Sequence, residues 1–371
     1  MTINDAVLQS GEKIIFRLRE LYFSRGYRPY RMSKFEEYDL YAGNKDFLVS
    51  DNVITFTDTG GKLMALKPDV TLSIVRSSRD GNRGTQKVYY KENVYRVAGS
   101  GAFQEIPQAG LECIGEIDDY QICEVVMLAA ESLRRISERS VLVLSQMDIL
   151  TELTERLGVD AASRRRVLEC VAGKNLHELR SICAAAGADP AAVERLCTLA
   201  ETRGEAAAVL PVLERLNCPA AAIDQLRTIC RGLAACGLDR LLQIDFSVVS
   251  DTNYYNGVVF KGFVEGVPVS VVSGGQYDRL MEKMHRRSGA VGFAVYLDTL
   301  ERLDETLPEY DTDVVLLYDD GADVGAMCAA VQSLTAEGQQ VTALRAVPEK
   351  LRYRRLLRLE GSEVRCVEAR S

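Results

Sequence analysis

Two hydrogen-bonding side chains flank a glycine in segment 106–115, which predicts a β-strand. Because the side chains of a strand alternate between its two faces, Gln108, Gly110 and Glu112 lie on one face. A small residue between two polar ones can form the floor of a polar pocket, with the carboxyl group of Glu112 facing a donor. A half-exposed strand that turns these groups to water is the alternative, and the pattern alone favours it.

Two other pairs of polar residues could contribute to a pocket. Asp69 and Thr71 stand where segment 66–71 leads into a predicted helix, a position at which such side chains cap free backbone N–H groups. Tyr254 and Tyr255 come just before a predicted strand, where packing is the ordinary role of tyrosine. Neighbouring residues of a strand face opposite ways, so at most one of the two tyrosines would reach a pocket.

The surrounding segments predict the elements that position these residues. Segments 258–264 and 269–272 are rich in β-branched residues and predict a hairpin around the turn Glu265-Gly266. The run Ser273-Gly274-Gly275 follows, and its small side chains allow a close approach of a ligand or a neighbouring strand. The other predicted elements are a helix at 4–24, a hairpin at 53–66, a strand pair at 86–97 with a turn at Lys91-Glu92, a helix at 119–137, a strand at 141–145, a helix at 276–284 and a strand at 289–295.

The composition predicts a soluble globular chain with two or three domains. The chain has 371 residues, of which 47% are hydrophobic and 26% charged, and its formal net charge is −8, which gives no general attraction to a phosphate backbone. Ten cysteines without a C-x-x-C pair and only two histidines favour reduced thiols in the cytosol over a zinc site. The only G-x-G is Gly99 to Gly101, so no dinucleotide cofactor is expected, and no apolar run predicts a secretion signal or a membrane span.

The order of the segments predicts an α+β chain in three parts. Residues 161–237 are rich in alanine and leucine at helical spacing and predict a helical insertion. Beyond residue 309, short strands at 313–318, 340–344 and 363–367 separated by two helical patches predict a small α/β unit. The predicted domains are 1–157 with 238–308, the helical insertion 158–237, and the C-terminal unit 309–371.

Several blocks of the chain resemble, in order, the motifs of histidyl-tRNA synthetases, a family of class II aminoacyl-tRNA synthetases. The blocks are Lys67 to Thr71, Gln108 to Glu112, Asn253 to Gly257, Gly274 to Asp278, and Gly292 to Ala294. The resemblance covers most of residues 1–303. It implies an antiparallel sheet with flanking helices and a dimer interface at the N-terminal helix and strand. It also implies a histidine-binding pocket, with these residues: Asp69, Thr71, Arg96, Gln108, Glu112, Tyr254 and Tyr255.

The chain departs from the synthetases where they bind ATP. Ser250 and Thr299 stand at the positions of two arginines, Ala98 replaces an acidic residue, and Tyr296 replaces a glycine. With Asp69 in place of glutamate, the pattern resembles the synthetase-like regulatory subunits of ATP phosphoribosyltransferase, which act in histidine biosynthesis. This resemblance implies a non-catalytic cytoplasmic protein whose partner is the short-form catalytic subunit, in a hetero-octamer built around homodimers, with histidine as effector.

Two alternatives remain from the sequence. One is an active histidyl-tRNA synthetase or a related amino-acid-activating enzyme, which needs cations on the phosphates of ATP. The other is a stand-alone histidine-sensing or RNA-binding module. Binding of tRNA is not expected, because the C-terminal unit is shorter than the anticodon-binding domain of the synthetases, although the arginines between Arg345 and Arg358 make that segment basic.

Overall fold

The computed structural model describes residues 10–43, 53–78, 84–249, 254–300 and 309–369. The chain forms two compact units, Met1–Leu303 and Asp304–Ser371. The larger unit contains twelve helices among the described residues: α1 Ser10–Ser24, α2 Tyr38–Ala42, α3 Val70–Ser77, α4 Asp119–Ile136, α5 Met147–Glu155, α6 Ala161–Ala172, α7 Leu176–Ala185, α8 Pro190–Glu201, α9 Ala206–Arg215, α10 Ala220–Ala235, α11 Asp278–Lys283 and α12 Leu297–Leu300. None of the described helices is long and apolar enough to cross a membrane.

The larger unit is built on a nine-stranded sheet with the order β1-β5-β6-β12-β11-β10-β7-β9-β8 and a separate sheet β2-β4-β3. The strands are β1 Arg28–Pro29, β2 Phe35–Glu37, β3 Thr55–Thr57, β4 Leu63–Leu66, β5 Gln86–Val97, β6 Phe103–Gly115, β7 Ser140–Gln146, β8 Arg203–Gly204, β9 Leu242–Asp245, β10 Asn256–Val264, β11 Val272–Gln276 and β12 Gly289–Tyr296. Strand pairs β1–β5 and β7–β9 are parallel and the others are antiparallel, which confirms the predicted fold class.

Apolar side chains cover both faces of the large sheet. On one face, Leu111 and Phe293 pack with Tyr22 of α1 and Leu128 of α4. Helix α4 begins at a capping box in which the Asp118 carboxylate accepts from two backbone N–H groups. On the other face, the buried side chains form a second cluster with α3 and α11: Val88, Ile114 and Ala290 with Leu72, Val75 and Leu280. The face that carries Glu112 is therefore enclosed by α3 and α11.

Segment 86–97 is one uninterrupted strand, so the prediction of a strand pair with a turn at Lys91-Glu92 was wrong. Every residue of β5 has a partner on β6, including Lys91 opposite Ala109 and Glu92 opposite Gln108. The polar pair therefore lies within a long ladder, where pairing with a thirteen-residue partner strand overrides local turn preference.

The two glycines of Ser273-Gly274-Gly275 lie inside β11 rather than after it. The predicted hairpin exists, but its second strand begins at Val272 instead of Val269. A β-carbon on Gly274 would lie 2.4 Å from the carbonyl oxygen of Gly292, and one on Gly275 would lie 2.7 Å from the carbonyl oxygen of Val258. These glycines thus allow β11 to pack tightly between its neighbours.

The helices α6 to α10 occupy the region predicted as an insertion. Their buried side chains, such as Val167, Leu196 and Leu226, belong to the same hydrophobic cluster as Leu111 and Phe293 of the sheet. The region also contributes the short edge strand β8, which pairs with β9 and had no sequence signal. Its definition as a separate domain stays a prediction.

The smaller unit contains one helix and four strands among its described residues: β13 Thr312–Leu317, α13 Val324–Ala336, β14 Val341–Leu344, β15 Tyr353–Glu360 and β16 Glu363–Ala369. The sheet order is β14-β13-β15-β16. The prediction of a second helical patch was wrong, because β15 occupies it. Its arginines and leucines have high helix propensity, but pairing with β13 and β16 decides the conformation.

We expect Gly274→Ala to lower the free energy of unfolding of the larger unit by at least about 2 kcal/mol, because the new methyl group would overlap backbone that cannot move away. Gly99→Ala is the matched control: no atom lies within 4 Å of the position that its new β-carbon would take, and it should change stability by less than about 0.5 kcal/mol. Urea unfolding followed by circular dichroism measures both, and equal effects would contradict the tight packing of β11.

Candidate functional site

The carboxyl group of Glu112 lies at the centre of the candidate site. Glu112 is only 2% exposed, and it accepts hydrogen bonds from the hydroxyl groups of Thr71 at 2.8 Å and Tyr277 at 2.5 Å. Its strand neighbour on β12 is Gly292, where a β-carbon would lie 1.7 Å from the Glu112 Oε2 atom. Glycine at this position makes the space in which the carboxyl group lies.

The environment of Glu112 favours its neutral form. Burial raises the pKa of this carboxyl group from 4.5 to about 8, and the negative charge of Asp69 contributes in the same direction. The hydrogen bonds from Tyr277 and Thr71 oppose that rise because they stabilise the carboxylate. The protonated carboxyl group can donate a hydrogen bond as well as accept one, so the site can match a ligand nitrogen in either protonation state.

Asp69 and Thr71 enter the site from the first turn of α3. The Asp69 carboxylate caps the helix by accepting from the backbone N–H of Leu72 at 2.8 Å, which confirms the predicted capping role. Burial raises the pKa of Asp69, and the positive charge of Arg96 opposes that rise. The Thr71 hydroxyl donates to Glu112, so the same turn supplies a cap and a contact to the central carboxyl group.

A buried ion pair and a buried hydrogen bond hold this turn against the sheets. Lys67, which is fully buried, pairs with Glu92 of β5 at 2.8 Å. Glu36 of β2 accepts from Ser73 of α3 at 3.0 Å and pairs with Arg76 at 3.2 Å. The start of α3 is therefore fixed from two directions, which keeps Asp69 and Thr71 in place.

Arg96 is the cation of the predicted pocket, and the structure brings it to Asp69. Its Nε donates to the carbonyl oxygen of Pro68 at 3.2 Å, and its charge acts on both Asp69 and Tyr296. Tyr296 is the strand partner of Gln108, which is 4% exposed. Gln108 and Glu112 thus lie on one face of β6, and the charge of Asp69 is near both Arg96 and Glu112.

The two adjacent tyrosines do not follow the predicted alternation. Both precede β10, which begins at Asn256, so they are not strand residues and they are not forced to opposite faces. Their ring centroids lie 4.5 Å apart. Tyr254 is hydrogen-bonded with Thr71, and the ring of Tyr255 lies over Gly275. The prediction that at most one would reach the pocket was wrong, because both pack beside the central carboxyl group.

A reciprocal pair of hydrogen bonds fixes the segment after these tyrosines. The Asn256 side chain donates to the Asp278 carboxylate at 3.0 Å and accepts from the Asp278 backbone N–H at 2.8 Å. The same carboxylate accepts from the backbone N–H of Ala290 at 2.8 Å. These contacts join β10, α11 and β12 next to Tyr277.

Sequence reasoning missed Tyr277 and Tyr90 as members of the site. Tyr277 donates to Glu112 across 165 positions of sequence. Tyr90 of β5 is 3% exposed, and its hydroxyl would lie 2.6 Å from a β-carbon on Gly110, so the space above that glycine is filled. Burial raises the pKa of both phenols. The segment Gly274 to Asp278, already part of the resemblance, contained the signal for Tyr277.

The structure describes Thr299 and Tyr296, two of the positions at which the sequence departs from the synthetase motifs. The hydroxyl of Thr299 donates to the carbonyl oxygen of Tyr296 at 2.7 Å, so this position presents no cation. Tyr296 is paired with Gln108 across β12 and β6, and burial raises the pKa of its phenol. Ser250 and Asn253 lie outside the described residues.

A mostly antiparallel sheet with a polar face closed by a helix start and by tyrosines defines a protein of the class II aminoacyl-tRNA synthetase type. The family model described as histidyl-tRNA synthetase matches residues 5–300. An ATP phosphoribosyltransferase regulatory subunit from Desulfitobacterium hafniense is 30% identical over 298 residues, which are 78% of this chain and 76% of that protein. The chain belongs to the histidyl-tRNA synthetase family and, within it, to the ATP phosphoribosyltransferase regulatory subunits.

Two solved structures show the same fold. One is an ATP phosphoribosyltransferase regulatory subunit/histidyl-tRNA synthetase from Bacillus halodurans, with a TM-score of 0.75, 24% identity, and coverage of 92% of this chain and 90% of that one. The other belongs to an ATP phosphoribosyltransferase complex from Thermotoga maritima, with a TM-score of 0.62, 19% identity, and coverage of 77% and 97%.

The raised pKa of Glu112 predicts a pH dependence of stability. Between pH 4.5 and about pH 8, the Glu112 carboxyl group is protonated in the folded state and ionised in the unfolded state. The folded state therefore becomes less stable, relative to the unfolded state, as the pH rises through that range. Relative to Glu112→Gln, the natural chain should lose on the order of 2 kcal/mol of unfolding free energy between about pH 5.5 and about pH 7.5. Urea unfolding of the larger unit at both pH values tests this, and parallel pH profiles would show that Glu112 titrates normally.

Proposed function

We propose that the chain is a non-catalytic regulatory subunit whose catalytic partner is a separate, short-form ATP phosphoribosyltransferase subunit. The observation that carries the proposal is a preserved polar site in which Thr299 presents no cation where the synthetases carry an arginine. Adenylate formation places negative charge on phosphate oxygens and needs preorganised cations to meet it. The names of the curated relatives support the same role.

We propose histidine as the ligand of the candidate site. Arg96 and Asp69 offer opposite charges to the carboxylate and the ammonium group of an amino acid. The buried Glu112 carboxyl group offers a partner to an imidazole nitrogen, and Tyr254 and Tyr255 offer ring faces beside it. Gln108 and Thr71 complete the predicted set of contacts.

A homodimer within a hetero-octamer is the proposed assembly, in the cytoplasm. Phe16 and Phe23 are seven residues apart on one side of α1 and are 48% and 70% exposed. Phe35 and Phe56 form an exposed aromatic pair on the three-stranded sheet, with ring centroids 5.5 Å apart. Exposed aromatic side chains of this kind are typical of surfaces that associate.

Binding of tRNA is not part of the proposal. In the C-terminal unit, three arginines of the basic segment pair with carboxylates: Arg345 with Asp320, Arg352 with Asp311, and Arg358 with Asp319. An RNA backbone would have to compete with these carboxylates for the arginines, although the pairs are exposed and each contributes little. Together with the net charge of −8, this argues against an RNA-binding module.

The chain alone should form no phosphoribosyl-ATP, and it should raise the rate of the short-form catalytic subunit when the two purified proteins are mixed. The measurement is the formation of phosphoribosyl-ATP from ATP and phosphoribosyl pyrophosphate. A rate equal to that of the catalytic subunit alone would contradict the proposal. Histidine-dependent exchange of pyrophosphate into ATP by the chain would instead support the synthetase alternative.

Glu112→Ala should weaken histidine binding by roughly tenfold or more, because a buried imidazole nitrogen left without its hydrogen-bond partner costs about 1–3 kcal/mol. Titration calorimetry on the chain alone measures the effect. The matched control is Glu105→Ala, which removes an exposed carboxylate from the same strand and should leave affinity unchanged. Equal affinity of the Glu112 variant and the natural chain would place the effector site elsewhere, without deciding the partnership with the catalytic subunit.

A further inference from the structure

A polar cavity of about 230 Å³ lies between the end of α1, the second half of α4 and the end of α10. Four of its lining residues carry formal charges: Arg25, Glu131, Arg134 and Arg135. None of the candidate histidine contacts lines this cavity. Helix α4 packs with Leu111, on the face of the sheet opposite Glu112, so the cavity is a separate feature of the larger unit.

The cavity carries an excess of positive charge. Arg134 and Arg135 share a single carboxylate, Glu131, at 2.6 Å and 3.6 Å. Arg135 also pairs with Glu20 at 3.5 Å, but Glu20 is 80% exposed, so that contact neutralises little. No carboxylate among the described residues forms an ion pair with Arg25. The lining of the cavity therefore contains three arginines and one carboxylate.

Two of the three arginines have contacts that orient their guanidinium groups. Arg135 donates from Nη1 to the backbone carbonyl oxygen of Arg17 at 2.8 Å, which fixes its side chain against α1. Arg134 is held by Glu131 one turn away on the same helix. Guanidinium groups in fixed positions match the oxygen atoms of a phosphate group, because each presents several N–H donors in one plane.

We propose that this cavity binds a small phosphate-bearing anion through Arg25, Arg134 and Arg135. The volume is below the roughly 300–1,000 Å³ of pockets for drug-sized ligands, so the ligand is a phosphate or pyrophosphate group, alone or as the end of a small molecule. The anion neutralises the excess charge, and the partly enclosed space strengthens the attraction relative to open solvent.

Inorganic pyrophosphate is the probe for a first experiment by titration calorimetry at low ionic strength. The natural chain should bind it, and added sodium chloride should weaken the binding. In the double variant Arg25→Gln with Arg134→Gln, the affinity for pyrophosphate should fall at least about tenfold, because each substitution removes a charged hydrogen-bond donor. Arg139→Gln is the matched control: it removes the same charge at an arginine that is 80% exposed and pairs with Glu265 outside the cavity.

Protection of Cys236 from alkylation tests whether pyrophosphate binds in this cavity. Its thiol lines the cavity, is exposed, and lies 3.5 Å from the sulfur of Met127. Pyrophosphate should slow alkylation of Cys236 by iodoacetamide, a neutral reagent, in a saturable way, and it should leave the exposed Cys328 of the smaller unit unaffected. Peptide mass spectrometry measures both rates in one sample. Absence of binding by the natural chain, or equal binding and equal protection in the double variant, would overturn the proposal.

Discussion

The carboxyl group of Glu112 is the contact on which the candidate site depends. Burying an acidic group costs free energy unless hydrogen bonds replace the lost water, and here Thr71 and Tyr277 supply them. These partners belong to the start of α3 and to the segment between β11 and α11, so one carboxyl group joins three parts of the fold. The arrangement also requires Gly292, since any side chain there would occupy the position of the carboxylate.

Contacts of the same kind fix the other elements around the polar face. The buried ion pair of Lys67 with Glu92 and the hydrogen bond from Ser73 to Glu36 fix the first half of α3, and hydrogen bonds between Asn256 and Asp278 join the starts of β10 and α11. Removing one partner of such a contact leaves a buried polar group without its hydrogen bond, which is costly. The pocket is therefore also part of what holds the strands and helices together. By contrast, the Thr299 hydroxyl donates to the carbonyl oxygen of Tyr296, three residues earlier in the chain.

The strands β5 and β6 carry a buried polar contact on each of their two faces. Glu112 faces α3, while on the other face Lys87 of β5 pairs with Glu124 of α4 at 2.5 Å. Tyr27, next to β1, donates to the same glutamate at 3.4 Å. The candidate site thus lies on one face of the sheet, and the N-terminal segment and α4 lie on the other face. That second face is also the side of α1, with its exposed aromatic side chains, and of the arginine-lined cavity.

The sequence by itself determined the features that depend on neighbouring residues. Asp69 caps α3 because its side chain reaches the next turn, and the alternation of Gln108, Gly110 and Glu112 follows from the geometry of any strand. The ordered motifs were enough to predict the fold class, whereas Tyr277 and Tyr90 were missed as members of the candidate site. Tertiary structure decided what depends on distant partners. Pairing with β6 made segment 86–97 a single strand, and pairing with β13 and β16 turned a helical pattern into β15. The bond from Tyr277 to Glu112 and the packing of both Tyr254 and Tyr255 beside it join residues more than 140 positions apart, and local propensity carries no information about such contacts.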